Sequence, residues 1–297
     1  MSRVSVIVPT FNSPTTLPRA ISSILAQSGV ETEIIVVDDC SVPPVEPADL
    51  PGGSVQVMRT PANAGAGPAR NLGVEAATGD VVAFLDADDE WLPESLLKRV
   101  ELCAPGRCAF GPYLERNDVS GSVRQVGPGP GDSLRLYVEN LVAPSTLVIW
   151  ADDFRRLGGF PADRRCAEDW VLSVRAFHAG VEFAAVSAPV CIKHVNTNNT
   201  TRDPRTTIDH ALGAVQIMHD ERLGTPEELS LARRAVRARA ALWSANVGDL
   251  HATVHHARAA AQDGIDRDGY GTLARVPLQW ARGVARRTLA KRREPRR

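Results

Sequence analysis

Apolar residues follow two alternating periods along the first part of the chain. VSVIVP (4–9) is an unbroken run rich in β-branched residues and stopped by proline, the pattern of a buried strand. Leu17, Ala20, Ile21, Ile24 and Leu25 then recur at helical spacing ahead of Gly29, which predicts a helix over 16–27. EIIVVDD (33–39) and VQVMRT (55–60) predict a second and a third strand on either side of the proline-rich loop VPPVEPADLPGG. NAGAGPARNLGVEAATGD (63–80) predicts a glycine-containing loop running into a helix, and VVAFL a fourth strand that ends in DADDEW. Strand alternating with helix over short loops predicts an open, mostly parallel α/β sheet. Ligands of such sheets sit beyond the carboxyl ends of the strands, so Thr10, Asn12, Asp38, Asp39, Asp86 and Asp88 should converge on one cleft.

Residues 93–190 are mixed in pattern. A helix is predicted after Pro93 through ESLLKRVELC, then strands around CAFGPYLE and SVRQVG, then a helix over SLRLYVENL. TLVIW, FRRLGGF and the acidic turn CAEDW lead into a helix over VLSVRAFHAG. EFAAVSAPVCIKH reads as one strand, followed by the polar loop VNTNNTTRDPRT. From about residue 206 the chain is rich in Ala, Arg and Leu and reads as helix, broken near Gly248 and around Gly264 to Gly271.

Charge and composition narrow the class. The net charge of -1 conceals an asymmetry: residues 275–297 carry nine Lys or Arg against the single acid Glu294. Basic residues there stand beside Val276, Leu278, Trp280, Val284 and Leu289, which suits either a membrane-surface helix or a solvated terminal helix. The tail lacks the interleaved aromatics of a nucleic-acid binder, so nucleic acid is not an expected partner. Cys40, Cys103, Cys108, Cys166 and Cys191 are odd in number and form no CxxC pair, which suits reduced thiols in the cytoplasm. The first apolar run is too short for a signal peptide, and LVAPSTLVIW is interrupted far short of a membrane span. A cytoplasmic protein is expected, with the tail available to the inner face of the membrane.

Four acids, Asp86, Asp88, Asp89 and Glu90, crowd into five positions after VVAFL. A divalent cation bridging diphosphate oxygens would relieve their repulsion, and oxygen ligands suit Mg²⁺ or Mn²⁺. A solvated acidic turn opening the next helix accounts for them equally well. Asp38 or Asp39 could accept the N3–H of a pyrimidine, or could simply belong to a turn. NAGAGPARNLG lacks the third glycine of a dinucleotide fingerprint and follows the wrong strand. Glu168 and Asp169 could supply a general base, or only favourable charge at a helix start. His194, Arg202 and Arg205 lie in or beside a polar loop that is either a lid over a charged ligand or a loose connection.

Taken in order, VSVIVPTFN, VVDDCS, NAGAGPARNLG, FLDADDEW and LGGF with EDW resemble the family 2 inverting glycosyltransferases of GT-A fold, over roughly residues 2 to 205. The resemblance implies a GT-A open mixed sheet flanked by helices in residues 1–205, with 1–92 the nucleotide-binding half and 93–205 the acceptor half. Residues 206–297 would form a helical extension that matches nothing diagnostic. Donor contacts are implied for Pro9, Phe11 and Asn12, for Asp39 reading the base with Asp38 beside it, and for Asn63, Gly65 and Arg70. The DxD maps to Asp86 and Asp88, the second touching the metal and the first the ribose or the metal, with Asp89 a competitor. Asp169 maps to the catalytic base, His194 to a histidine near the diphosphate or metal, and Arg202 to the loop over the donor.

The QxxRW signature and membrane spans of processive members are absent from the sequence, which implies one sugar added per event. The implied activity is inverting transfer from a UDP- or dTDP-sugar to an acceptor hydroxyl, with Mn²⁺ or Mg²⁺ as cofactor. The acceptor could be a glycan, a lipid-linked sugar or a small molecule. The rival readings are a sugar nucleotidyltransferase and a non-catalytic nucleotide-sugar binding module. The first would carry a Gly-rich basic loop after its first strand, where this chain has TFNSPTTL, and the second would lose the DxD or the ED acid.

Overall fold

The computed structural model describes residues 3–127, 142–162, 167–195, 204–246 and 249–262. The basic tail, Arg202 and the helix expected over SLRLYVENL lie outside the described residues. The chain divides into two compact units near residue 200.

The first unit is built on strands β1 (Val4–Thr10), β2 (Thr32–Asp38), β3 (Val55–Arg59) and β4 (Val81–Phe84), with helices α1 (Leu17–Leu25) and α2 (Ala66–Ala76) between them. These four strands are parallel, in the spatial order β3, β2, β1, β4. The α/β alternation expected over this part of the sequence is therefore present. Every residue of β1 is buried, as is the run from Ile34 to Asp38, because helices cover both faces and leave no solvent side for an alternating pattern. Gly73 of α2 lets the helix lie directly on β1: a Cβ there would meet Ile7 Cγ2 at 2.4 Å.

Beyond β4 the sheet becomes mixed. Strand β9 (Val148–Trp150) runs antiparallel to both β4 and β6 (Arg107–Phe110), and β10 (Glu182–Ala185) adds parallel to β6, completing seven strands. A second sheet has the order β5 (Glu90–Trp91), β11 (Cys191–Val195), β7 (Tyr113–Asn117) and β8 (Val123–Val126). Helix α3 (Ser95–Val100) follows β5, while α4 (Ala151–Arg156) and α5 (Glu168–His178) follow β9. Phe84, Phe154 and Phe160 pack edge to face or tilted at 5.3–5.4 Å between centroids under this half of the sheet.

Three expectations are corrected here. EFAAVSAPVCIKH is two strands in two different sheets, because Pro189 has no N–H for a continuous ladder. CAFGPYLE likewise splits at Gly111–Pro112 into β6 and β7. Glu90, expected as a helix-entry charge, belongs to the short strand β5 and pairs with Ile192.

The second unit contains helices α6 (Pro204–Asp220), α7 (Pro226–Asn246) and α8 (Leu250–Gln262). Helix α7 ends at Asn246 and α8 starts at Leu250, while Gly248, where the pattern expects a break, lies outside the described residues; the break at Gly224, φ 146°, is not marked by the pattern. Small residues Ala232, Ala240, Ala241 and Ala245 are buried along α7 and let the neighbouring helices approach closely. No helix among the described residues is long and apolar enough to cross a membrane.

Candidate active site

The carboxyl ends of β1, β2 and β4 bring the first three motifs together. β1 and β2 pair in register up to Thr10 and Asp38, and the Asp39 N–H donates to the Thr10 carbonyl at 2.8 Å. Asn12 adopts φ 49°, which asparagine tolerates better than most residues. Its N–H donates to Ser41 Oγ at 2.9 Å and its Oδ1 accepts from the Val42 N–H at 2.8 Å, tying the two loops. Phe11 is 47% exposed on this rim, while Pro9 is buried inside β1.

Asp38 and Asp39 are both buried and serve as acceptors for the loops around them. Asp38 accepts from the Ser41 N–H at 2.8 Å and the Val45 N–H at 3.2 Å, and is ion-paired with Arg59. Burial alone would raise its pKa, but these bonds and the Arg59 charge outweigh burial and hold it below the usual value. Asp39 accepts from Thr60 Oγ1 at 2.8 Å, the Ala64 N–H at 3.0 Å and the Gly65 N–H at 2.7 Å. Gly65, at φ 98°, lies in a region where a side chain would be strained, and this bend presents its N–H to Asp39 at the start of α2. Asn63 lies in the same turn, half-buried.

Arg70 is the central surprise. It is only 3% exposed, and its guanidinium joins two motifs far apart in sequence: Nη2 donates to Asp86 Oδ1 at 2.5 Å and Nη1 to Glu168 Oε1 at 2.9 Å. It also stacks over the Phe160 ring at 5.2 Å. The guanidinium expected against a base or phosphate is paired with two protein carboxylates. Burial would lower the Arg70 pKa, but Asp86 and Glu168 outweigh it and keep the guanidinium charged. Glu168 opens α5 directly after Ala167, a non-glycine residue at φ 62°. Asp169 follows, its Oδ1 accepting the Trp170 N–H at 2.9 Å.

Asp86, Asp88 and Asp89 each offer an oxygen within 4.8 Å of the others. A tight turn gathers them, closed by the Asp89 N–H on the Asp86 carbonyl at 3.0 Å and by Arg19 Nη2 on the Asp88 carbonyl at 2.6 Å. Ser145 supports the turn from beneath, accepting from the Asp86 N–H at 3.2 Å and donating to Asp89 Oδ2 at 2.6 Å. Lys193 completes the group, its Nζ 3.0 Å from Asp89 Oδ2 and 3.4 Å from Asp86 Oδ2. Burial would raise Asp86, but Arg70 and Lys193 overcome it and hold the carboxyl well below the ordinary range. Asp88 behaves oppositely: burial, then the charges of Asp89 and Asp86, push it up to about 6. Three carboxylates that bring their oxygens within 4.8 Å of one another offer the hard donors that suit a divalent cation.

His194 is not brought into this group. Its ring is buried, with Nε2 3.0 Å from Glu90 Oε1 and Nδ1 2.8 Å from Asp118 Oδ1. Alternation along β11 sends Lys193 and His194 to opposite sides, and Lys193 is the one that reaches the acids. Sequence reasoning missed Lys193, Ser145 and Arg19. Strand periodicity around His194 could have flagged Lys193, but no local pattern marks the other two.

Residues 5–141 match the profile named Glycosyl transferase family 2. Among curated relatives, the succinoglycan biosynthesis protein ExoO of Rhizobium meliloti is 43% identical over 100 residues, 33% of this chain and 29% of that protein. The putative teichuronic acid biosynthesis glycosyltransferase TuaG of Bacillus subtilis is 37% identical over 111 residues, 36% of this chain and 44% of that protein. The matches thus span less than half the length of either relative. Among solved structures, S. aureus TarS 1-349 in complex with UDP-GlcNAc superposes with a TM-score of 0.61 at 16% identity, over 96% of this chain and 92% of that one. The mannosyltransferase PcManGT from Pyrobaculum calidifontis, in complex with GDP-Man and Mn2+, gives 0.55 at 20% identity, over 95% and 87%. At such identities the likeness carries the fold alone, a GT-A mixed sheet. Over residues 5–141, somewhat under half its length, the chain is thus similar to proteins of glycosyl transferase family 2.

Proposed function

We propose that the chain is an inverting glycosyltransferase that moves one sugar from a nucleotide-diphosphate donor to an acceptor hydroxyl. The observation that carries this reading is the Arg70 bridge. One buried guanidinium fixes the acid cluster after β4 to the acidic start of α5, so the two motifs needed for donor binding and for proton removal share one rigid support.

Donor binding is assigned to the rim formed by Phe11, Asn12, Asp39, Asn63 and Gly65. Asp39 is fixed by three hydrogen bonds before any ligand arrives, and an acceptor held so firmly suits the N–H of a uracil or thymine ring. Asp86 and Asp88 are the residues assigned to a divalent cation, Mn²⁺ or Mg²⁺. Such an ion, when bound, would offset the negative charge that develops on the diphosphate leaving group. Asp169 is assigned the acceptor proton: its carboxylate takes the hydroxyl hydrogen as that oxygen attacks the face of the sugar opposite the leaving group. Base catalysis of this kind is worth on the order of 10²–10⁴-fold. Pro9 belongs to the strand under the rim and acts through its rigidity.

The acceptor is proposed to be a glycan, a lipid-linked sugar or a small molecule. The basic tail at 275–297 would favour an acceptor at an anionic membrane face. Slow donor hydrolysis over a panel of UDP-, dTDP- and GDP-sugars with Mn²⁺, Mg²⁺ or chelator tests the proposal. Cleavage of a UDP- or dTDP-sugar that stops with chelator is expected. Cleavage that persists in chelator would remove the metal from the scheme, and sugar-nucleotide synthesis from a sugar phosphate would replace the scheme with nucleotidyl transfer.

A further inference from the structure

Lys193 occupies the place where a divalent ion and the acids would meet. Its ammonium touches Asp86 and Asp89, two of the three carboxylates whose oxygens lie within 4.8 Å of one another. A monovalent ammonium and a divalent ion cannot share those oxygens without strong mutual repulsion, so one must yield. The second cation at the cluster, Arg70, is held by two carboxylates and is 3% exposed. Lys193 is different. It is 26% exposed, rests beside the Tyr113 ring at 5.9 Å, and has a flexible four-carbon stem ending in three rotatable donors. Its backbone is fixed in β11 between β5 and β7, so only the side chain needs to move.

We propose that Lys193 is a resident counter-ion that competes with the divalent metal for Asp86 and Asp89, and that the donor's diphosphate draws it away. Without donor, the ammonium neutralises acids that would otherwise repel one another. With donor, phosphate oxygens offer the ammonium an equivalent partner and release carboxylate oxygens to the metal. Metal and nucleotide then bind with positive coupling, and the coupling is reciprocal. This inference rests on the reading of Asp86, Asp88 and Asp89 as the metal-holding group. Lys193 acts as a positioning residue, setting when the metal enters.

The test is Mn²⁺ binding to the full chain, followed by the paramagnetic resonance signal of free Mn²⁺, with and without UDP. Wild type should bind Mn²⁺ alone weakly, and UDP should tighten it by roughly tenfold or more. Lys193→Met should bind Mn²⁺ alone about tenfold more tightly than wild type and lose most of the effect of UDP. Lys193→Arg, which keeps the charge, should stay weak. If the methionine variant fails to fold, Lys193→Gln, which retains a donor for Asp89, makes the same comparison. Equal Mn²⁺ affinity in wild type and the folded neutral variant overturns the role of Lys193 alone. Mn²⁺ binding that Asp88→Asn leaves untouched overturns the metal reading, and the inference with it.

Discussion

Asp88 and Asp86 stand two residues apart yet are driven in opposite directions, and the difference lies in who faces them. Asp86 is gripped by Arg70 and Lys193, whereas burial and the charges of Asp89 and Asp86 push Asp88 up to about 6. A carboxyl raised above its unfolded value near 3.8 takes up a proton on folding between those two pH values. Its ionised form therefore weakens the fold above pH 6, and stability is regained as pH falls from about 6 towards 4. Asp86 has the opposite sign: its contribution is full above the unfolded value and is lost only in stronger acid. Metal-free protein should accordingly lose stability as pH rises from about 4 to about 6, and Asp88→Asn should flatten that slope in urea titrations. A metal at Asp88 would need the ionised form. Mn²⁺ binding at pH 5.5 should then release a proton, detectable by calorimetry in buffers of differing ionisation enthalpy, and Asp88→Asn should abolish the release.

At the scale of elements, the acid turn depends on a helix that supplies none of its acids. Arg99 of α3 is fully buried, and its partners are carbonyl oxygens and a hydroxyl: Ser95 O at 3.0 Å, Thr146 O at 3.0 Å and Ser95 Oγ at 3.3 Å. It also lies over Trp91 at 4.6 Å, and Trp91 Nε1 donates to Ser145 O at 2.8 Å. Burial lowers the Arg99 pKa to about 10, still charged at neutral pH. Arg99 and Trp91 thus clamp the turn Pro144–Thr146, whose Ser145 hydroxyl in turn holds Asp86 and Asp89. Arg99→Met should cost about 2–4 kcal/mol in denaturant unfolding, since several buried acceptors lose their donor. It should also weaken Mn²⁺ binding without touching any ligand, and unchanged binding would dismiss the clamp. None of this was legible in the sequence, because Arg99 reads as one more cation in ESLLKRVELC and Ser145 as an interruption of an apolar run. What was legible had a strong local period: β1 through β4, α1, α2 and the acids at the strand ends. The failures at EFAAVSAPVCIKH and CAFGPYLE have one cause. Periodicity reports extended chain, but it does not report which of two sheets receives each half.

Across the whole molecule, the residues assigned to holding the donor and the residue assigned to the chemistry come from opposite halves of the first unit. Asp39, Asp86 and Asp88 lie at the ends of the parallel strands β2 and β4, and Asp169 lies on α5 beyond the antiparallel strand β9. Binding and turnover should therefore separate by mutation. Ligand that binds only the folded state stabilises it by about 2.7 kcal/mol at a hundred times its dissociation constant. At roughly 2–4 °C per kcal/mol, the scale for domains the size of the first unit, that raises the unfolding midpoint by roughly 5–11 °C. Wild type with UDP and Mn²⁺ should show this rise, and Asp169→Asn should show it undiminished while transfer falls on the order of 10²–10⁴-fold. Asp88→Ala should lose the metal-dependent part of the rise. The amide at 169 keeps the shape of the carboxylate and the acceptor bond to the Trp170 N–H, so α5 should keep its start. The bridge from Arg70 to Glu168 is also left intact, so the acid cluster keeps its support from α5. A variant that loses the rise together with activity would show Asp169 to be part of the donor site, and the acceptor's base would then have to be sought elsewhere.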